Sequence, residues 1–299
     1  MEKIGFVGIG LMGNQMSRHL LDQGYPMVVW NRTAEKAASL LEAGAVWADS
    51  PREVAKSSDV VITMVTDSNA SEAVALGPSG IVEGAHPGLV LMDMSSITPD
   101  TSRSIAERAQ AAGIAMLDAP VTGSVAAAGN GSLGIMVGGQ REVFERCLPV
   151  LQRLGTKIVY AGPNGAGCTL KLLNNLILGV AVEAVCEAMV LATKVGIDPA
   201  LVMEITSVGG AQTAAMQSRG PRILTRDFAP RFTVNNQLKD LTGILELARQ
   251  AQVPLPVGGA AREIYQSATA NGKGGLDSAA VVTVLETLAN VTVRTSRTA

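Results

Sequence analysis

Two lysines and a short run of hydroxyl-bearing residues carry most of the chemistry open to this chain. Lys171 stands near the start of a long apolar stretch and Asn175 follows four residues later, so in a helix the two side chains share a face. An ammonium partly desolvated in a crevice has a lowered pKa and a proton to give. By spacing alone, Lys171 reads at least as well as a surface lysine opening a helix. Asp118-Ala119-Pro120-Val121-Thr122-Gly123-Ser124 would set hydroxyls and backbone amides at a strand end. That donor set suits a carboxylate, and the same residues also make a plain turn. Lys239-Asp240 is a third candidate, although adjacent opposite charges on a helix are commonly solvated. Histidine and metal chemistry are poorly supplied. The chain has two histidines, His19 and His86, and three widely spaced cysteines, Cys147, Cys168 and Cys186, with no zinc spacing and no even set for a disulfide framework.

Gly8-Ile9-Gly10-Leu11-Met12-Gly13 fits Gly-x-Gly-x-x-Gly, directly after an apolar strand and at the opening of an amphipathic helix. Gly8 permits the tight turn, Gly10 lets the backbone approach a pyrophosphate, and Gly13 allows close helix–strand packing. Free amides at the helix start then face the phosphates. Where NAD-selective folds place an acid at the end of the second strand, this chain has Asn31, followed by Arg32 and Thr33. A 2′-phosphate there meets no like charge, and Arg32 offers a planar donor pair, which favours NADPH over NADH. Arg32 also fits as a solvated arginine on a turn. Later strand ends add Met64 and Val65, and then Ser96, which either reaches the nicotinamide ribose or caps a helix. Reduction of a carbonyl with such a cofactor leaves an alkoxide that needs a proton, and Lys171 is better placed than either histidine to supply it.

These residues need a scaffold, and 299 residues with 47% apolar content allow one large domain or two ordinary ones. Apolar runs at 4–7, 27–30, 60–64, 89–92, 115–117 and 133–137 alternate with amphipathic stretches at 14–23, 34–42, 51–55, 101–112 and 141–153. That rhythm predicts a doubly wound Rossmann sheet, parallel and covered on both faces. From Gly162-Pro163-Asn164-Gly165 onward the periodicity is helical, over 168–195, 199–207, 213–219, 234–251, 256–270 and 278–293. The expected organisation is an α/β protein: a nucleotide-binding domain over 1–163 and an all-α substrate and oligomerisation domain over 164–299, with a frayed polar tail from Thr295. Residues 172–193 are apolar enough to raise a membrane question. They carry Asn174, Asn175, Glu183 and Glu187, and an acid near the bilayer centre costs about 2.5–3.5 kcal/mol, so a buried helix is the better reading. A net charge of −2 gives no case for nucleic acid or an anionic membrane as partner. The chain opens almost directly with the strand at Ile4, with no leader in view, and a reduced cytoplasmic compartment is expected.

Taken together, Gly5-Phe6-Val7-Gly8-Ile9-Gly10-Leu11-Met12-Gly13, Asp118-Ala119-Pro120-Val121-Thr122-Gly123, Gly165-Ala166-Gly167-Cys168-Thr169-Leu170-Lys171-Leu172-Leu173-Asn174-Asn175 and Lys239-Asp240-Leu241 resemble the β-hydroxyacid dehydrogenase family over nearly the whole chain. The resemblance implies that Lys171 is the catalytic general acid assisted by Asn175, that Thr122 and Gly123 hold a substrate carboxylate, and that Lys239 lies at the nicotinamide end of the cofactor. It also implies homodimers or homotetramers. Family members commonly have Ser-Gly-Gly where this chain has Thr122-Gly123-Ser124, which keeps a hydroxyl but reshapes the pocket. Within the family, Trp30-Asn31-Arg32-Thr33, Ser124 and Arg219-Gly220-Pro221 look most like NADPH-dependent glyoxylate/succinic semialdehyde reductases. The expected activity is reduction of a small aldehyde acid to the hydroxy acid, with 3-hydroxyisobutyrate or tartronate semialdehyde as alternative substrates. An imine reductase or a silent nucleotide-binding scaffold would be expected to lose Lys171.

Overall fold

Every residue of β1 (Ile4–Val7), β4 (Val60–Thr63) and β5 (Val90–Asp93) is buried, so these runs show no polar face. Alternate side chains enter opposite cores. Ile4, Phe6, Val60, Ile62, Val90 and Met92 pack with Met16 and Leu20 on one side, whereas Val7, Val61 and Leu91 pack with Val54 and Ile105 on the other. The computed structural model describes residues 1–295; the last four residues of the expected frayed tail lie outside them. The chain divides into two units, Met1–Lys171 and Leu172–Ala299.

Among the described residues the first unit forms a nine-stranded sheet. With β2 (Met27–Trp30), β3 (Val46–Trp47), β6 (Ala115–Asp118), β7 (Val121–Thr122), β8 (Leu133–Gly139) and β9 (Gly155–Gly162), the order is β3-β2-β1-β4-β5-β6-β8-β7, with β9 paired to β8. Strands β1 to β6 are parallel and linked through α1 (Leu11–Asp22), α2 (Ala38–Glu42), α3 (Pro51–Lys56), α4 (Ser68–Leu76) and α5 (Pro99–Ala111). The sheet is not wholly parallel as the rhythm suggested. β8 runs antiparallel to β6 and β7, and β9 returns parallel to β8 after α7 (Arg141–Leu154). The connection from β6 through β7 and the five-residue α6 (Val125–Gly129) is too short for the usual helical crossover. In register, Val7 lies opposite both Trp30 and Thr63, Thr63 opposite Asp93, and Asp93 opposite Asp118, so the loops after five neighbouring strands leave the sheet from one edge.

The second unit is helical. α8 (Ala166–Lys194) opens in the first unit and continues into the second, followed by α9 (Pro199–Thr206), α10 (Ala214–Thr225), α11 (Val234–Gln250), α12 (Pro256–Ala268) and α13 (Val282–Ala289). α10 runs on past Gly220-Pro221, beyond the end expected at 219. The helix expected over 278–293 is a 3₁₀ turn, Ser278–Val281, leading into α13, which stops where Asn290 turns left-handed at φ 47°. Among the described residues α8 is the one helix long and apolar enough to cross a membrane, yet Val182, Val185, Cys186 and Met189 on it are buried against Ile223, Leu241 and Tyr265.

Candidate active site

The edge where β1, β2, β4 and β5 end holds most of the residues expected to meet a nucleotide. Gly8 adopts φ +103°, and a Cβ there would come within 2.4 Å of the Met64 carbonyl oxygen. A Cβ on Gly13 would lie 2.0 Å from the Gly8 carbonyl, so this turn of α1 sits against the loop only because no side chain intervenes. At Gly10 the same construction meets nothing within 4 Å. Gly10 is also the N-cap of α1, with no side chain capping the helix and no acid in its first turn. Open backbone at an uncapped helix start is what a phosphate requires.

Asn31 does more than replace an acid. Its Oδ1 accepts the Ile9 N–H at 2.9 Å, and its Nδ2 donates to the Thr33 carbonyl at 2.7 Å, tying the glycine loop to the end of β2. Arg32 and Thr33 are exposed, and Arg32 has no ion pair among the described residues. Met64 and Val65 are half-buried after β4, where the Val65 N–H donates to the Ser95 hydroxyl at 2.9 Å. Ser95 is in turn held by Asp93, whose Oδ1 accepts the Ser95 N–H and whose Oδ2 accepts the Ser71 hydroxyl. Ser95 is thus part of this edge as well as Ser96, which is half-buried beside it. The chain fits a dinucleotide here: a bare helix start, open space at Gly10, and no carboxylate closing β2.

At the end of β6, Asp118 is fully buried and accepts the Gly165 N–H at 2.8 Å and the Cys168 N–H at 2.9 Å. Burial pushes its pKa up, and the two N–H bonds pull the other way. Four residues on, Thr122 is half-buried in β7 and Gly123 takes φ +142°; the Ser124 hydroxyl accepts the Ala127 N–H at 3.1 Å as the cap of α6. Lys171 lies in the second turn of α8 and is only 8% exposed, unlike the surface lysine its spacing also allowed. Asn175, in the second unit, is buried. Its Nδ2 donates to Asp240 Oδ2 at 2.6 Å, and its carbonyl accepts Gln237 Nε2 at 2.8 Å. Lys239 is part exposed, with Nζ 3.7 Å from Asp240 Oδ1.

The expected residues thus fall into groups. Gly8 to Gly13, Asn31, Arg32, Thr33, Met64, Val65 and Ser96 share the strand-end edge. Thr122 and Gly123 follow Asp118 in the chain, Lys171 follows the Cys168 whose N–H Asp118 accepts, and Asn175 and Lys239 meet at Asp240. Asp118, Asp240, Gln237 and Ser95 were not singled out individually. A carboxylate ending a run as apolar as Ala115-Met116-Leu117 was the available signal for Asp118. Both histidines are engaged with backbone carbonyls elsewhere, His19 with Gly129 and His86 with Ala55 and Ser58. The cysteines are buried and free; burial pushes the Cys147 thiol up to about 11 and Cys168 and Cys186 well above the usual range.

Residues 3–162 match the NAD binding domain of 6-phosphogluconate dehydrogenase, and 165–285 match the NAD-binding region of NADP-dependent 3-hydroxyisobutyrate dehydrogenase. The chain is 36% identical to Escherichia coli 2-hydroxy-3-oxopropionate reductase, over 96% of this chain and 98% of that one. It is 34% identical to Arabidopsis thaliana glyoxylate/succinic semialdehyde reductase 1, over 94% and 97%. The crystal structure of a 3-hydroxyisobutyrate dehydrogenase from Salmonella typhimurium superimposes with a TM-score of 0.87 at 29% identity, covering 94% of this chain and 99% of that one. The chain is a nicotinamide-dependent oxidoreductase acting on hydroxy acid CH–OH groups. The chain belongs to the β-hydroxyacid dehydrogenase family.

Proposed function

We propose that this enzyme is an NADPH-linked reductase of small aldehyde acids, with succinic semialdehyde and glyoxylate as leading substrates. The observation that carries the reading is Lys171: a buried ammonium on a helix whose first turn is pinned to the end of β6, the strand end from which Thr122–Gly123 departs. Bound nicotinamide supplies the hydride equivalent that reaches the carbonyl carbon. Thr122, Gly123 and Ser124 bind the substrate carboxylate and orient the carbonyl. Lys171 gives its proton to the oxygen as negative charge develops there and regains one from water. Asn175, one turn along α8 and fixed by Asp240 and Gln237, assists that lysine. Gly8 to Gly13 would hold the pyrophosphate, Met64, Val65 and Ser96 would take further parts of the cofactor, and Lys239 would lie against its nicotinamide end.

The preference for NADPH rests on Asn31 in place of an acid and on the exposed Arg32, which is available to a 2′-phosphate. The identity shared with 2-hydroxy-3-oxopropionate reductase also favours a three-carbon semialdehyde as substrate. A homodimer or homotetramer is supported by Leu173, Ile177 and Leu191, apolar and exposed along α8, and by the exposed Val195 just beyond it. The test is NADPH and NADH oxidation with glyoxylate, succinic semialdehyde, 2-hydroxy-3-oxopropionate and, in reverse, 3-hydroxyisobutyrate. Turnover of an aldehyde acid with NADPH favoured is expected. Binding of NADPH without turnover of any of them would make the chain a silent nucleotide binder.

A further inference from the structure

Asp118 is placed to do more than end a strand. Its two oxygens accept N–H groups from Gly165 and Cys168, so a side chain from β6 caps the first turn of α8. Two glycines leave room for it: a Cβ on Gly138 would stand 2.6 Å from its Oδ1, and one on Gly167 would stand 2.9 Å from its Oδ2. A second bond ties β6 to the turn that leads into α8, since Asn164 Nδ2 donates to the Met116 carbonyl at 2.9 Å. Chain distances from the carboxylate are short in both directions. Thr122 lies four residues beyond Asp118, and Lys171 lies three residues, less than one helical turn, beyond Cys168.

We infer that Asp118 is a positioning residue: by gripping the first turn of α8 it sets the separation between the Lys171 amine and the Thr122–Gly123 loop. The inference rests on Lys171 being the proton donor. This cap joins the strand that leads into Thr122–Gly123 to the start of the helix that carries Lys171, two segments that must be in register for a carboxylate-anchored aldehyde to meet its proton. Misplacement by about 1 Å costs up to ~10²-fold in rate, so the effect belongs in kcat rather than in cofactor binding.

The experiment compares Asp118→Asn in the wild-type and Lys171→Ala backgrounds, reading kcat and KM with the best aldehyde acid and NADPH affinity by fluorescence quenching. Asn keeps one acceptor but turns an NH2 toward a backbone N–H. The expected result is a kcat loss of about 10–100-fold in wild type with NADPH affinity within about twofold, and a further loss under about twofold when Lys171 is already gone. The same fold-loss in both backgrounds, or an unchanged kcat in wild type, overturns the inference while leaving Lys171 as donor. A Lys171→Ala enzyme that turns over normally removes the donor and this inference with it. If Asp118→Asn no longer binds NADPH, Gly138→Ala carries the same comparison, since it presses a methyl group on the carboxylate, and on the Pro163 carbonyl in the turn before α8, without removing Asp118.

Discussion

Asp93 and Asp118 in the first unit and Glu183 in the second are all buried, but their surroundings differ. Asp93 is met by the Ser95 N–H and the Ser71 hydroxyl, and Asp118 by two N–H groups at the start of α8. Glu183 lies in the middle of α8, and neither of its oxygens has a hydrogen-bond partner among the described residues. The contrast follows from where the backbone has donors to spare. Strand ends and first helical turns carry unused N–H groups, whereas mid-helix every N–H is committed four residues back. Carboxylates at the edge of the sheet can therefore be built into a site, while one buried mid-helix is pushed toward its neutral form. Burial first, and then the charge of Glu187, raises the Glu183 pKa to about 7.

The sharpest way to break this division is to remove the residue that the first unit's network is proposed to serve. Lys171→Ala is expected to cut kcat by about 10²–10⁴-fold with NADPH binding retained. Steady-state kinetics beside fluorescence quenching check both halves. A modest loss would mean that the buried amine serves only the packing of α8.

The glycine loop gives a paired test of the same edge. Gly13→Ala forces a methyl to within 2.0 Å of a backbone oxygen, and a stability loss of about 3 kcal/mol or a little less is expected in urea unfolding. Gly10→Ala meets open space, so stability should change little while NADPH affinity falls. If both variants lose only stability, Gly10 is not where a phosphate approaches. Arg32→Ala, with a charge-assisted bond worth about 1.5–3 kcal/mol at stake, should lower the NADPH/NADH preference by about 10–100-fold without touching the NADH rate. It is a cleaner probe than Asn31→Asp, which would also remove the amide that donates to Thr33.

What could be read in advance was local. The three glycines act within six residues of one another, and their separate roles follow from sequence. The strand–helix rhythm was legible because buried parallel strands are apolar throughout. What escaped was either short or distant. β3 and β7 are two residues each, too brief for a pattern, and edge strand β9 is exposed along much of its length. α4, Ser-Asn-Ala-Ser-Glu-Ala-Val-Ala-Leu, buries only two residues and shows little apolar face. Asn31 looked informative for lacking a charge, but its amide braces a loop 22 residues away. Asp118 finds its partners 47 and 50 residues along the chain, a distance at which no spacing rule operates. Ser124 also caps α6 by accepting the Ala127 N–H, which leaves its hydroxyl proton available to a carboxylate.

The smallest expected effect tests the second unit alone. With its pKa raised from 4.5 to about 7, Glu183 binds a proton more tightly in the folded chain than in the unfolded one. Its contribution to stability is therefore fully present below about pH 4.5 and is lost as pH rises through 7. Other carboxylates change over the same range, so the informative quantity is the difference between Glu183→Gln and wild type at each pH. Gln resembles the protonated acid and cannot ionise, so the two proteins should be nearly equal at pH 5. By pH 8 the variant should be more stable by about 1–2 kcal/mol, a fraction of the 1.36 kcal/mol per pKa unit after relaxation around the charge. Urea midpoints at the two pH values measure it. A constant difference across the range would show that Glu183 has found a partner for its charge, and the contrast between the two units would then rest on one residue fewer.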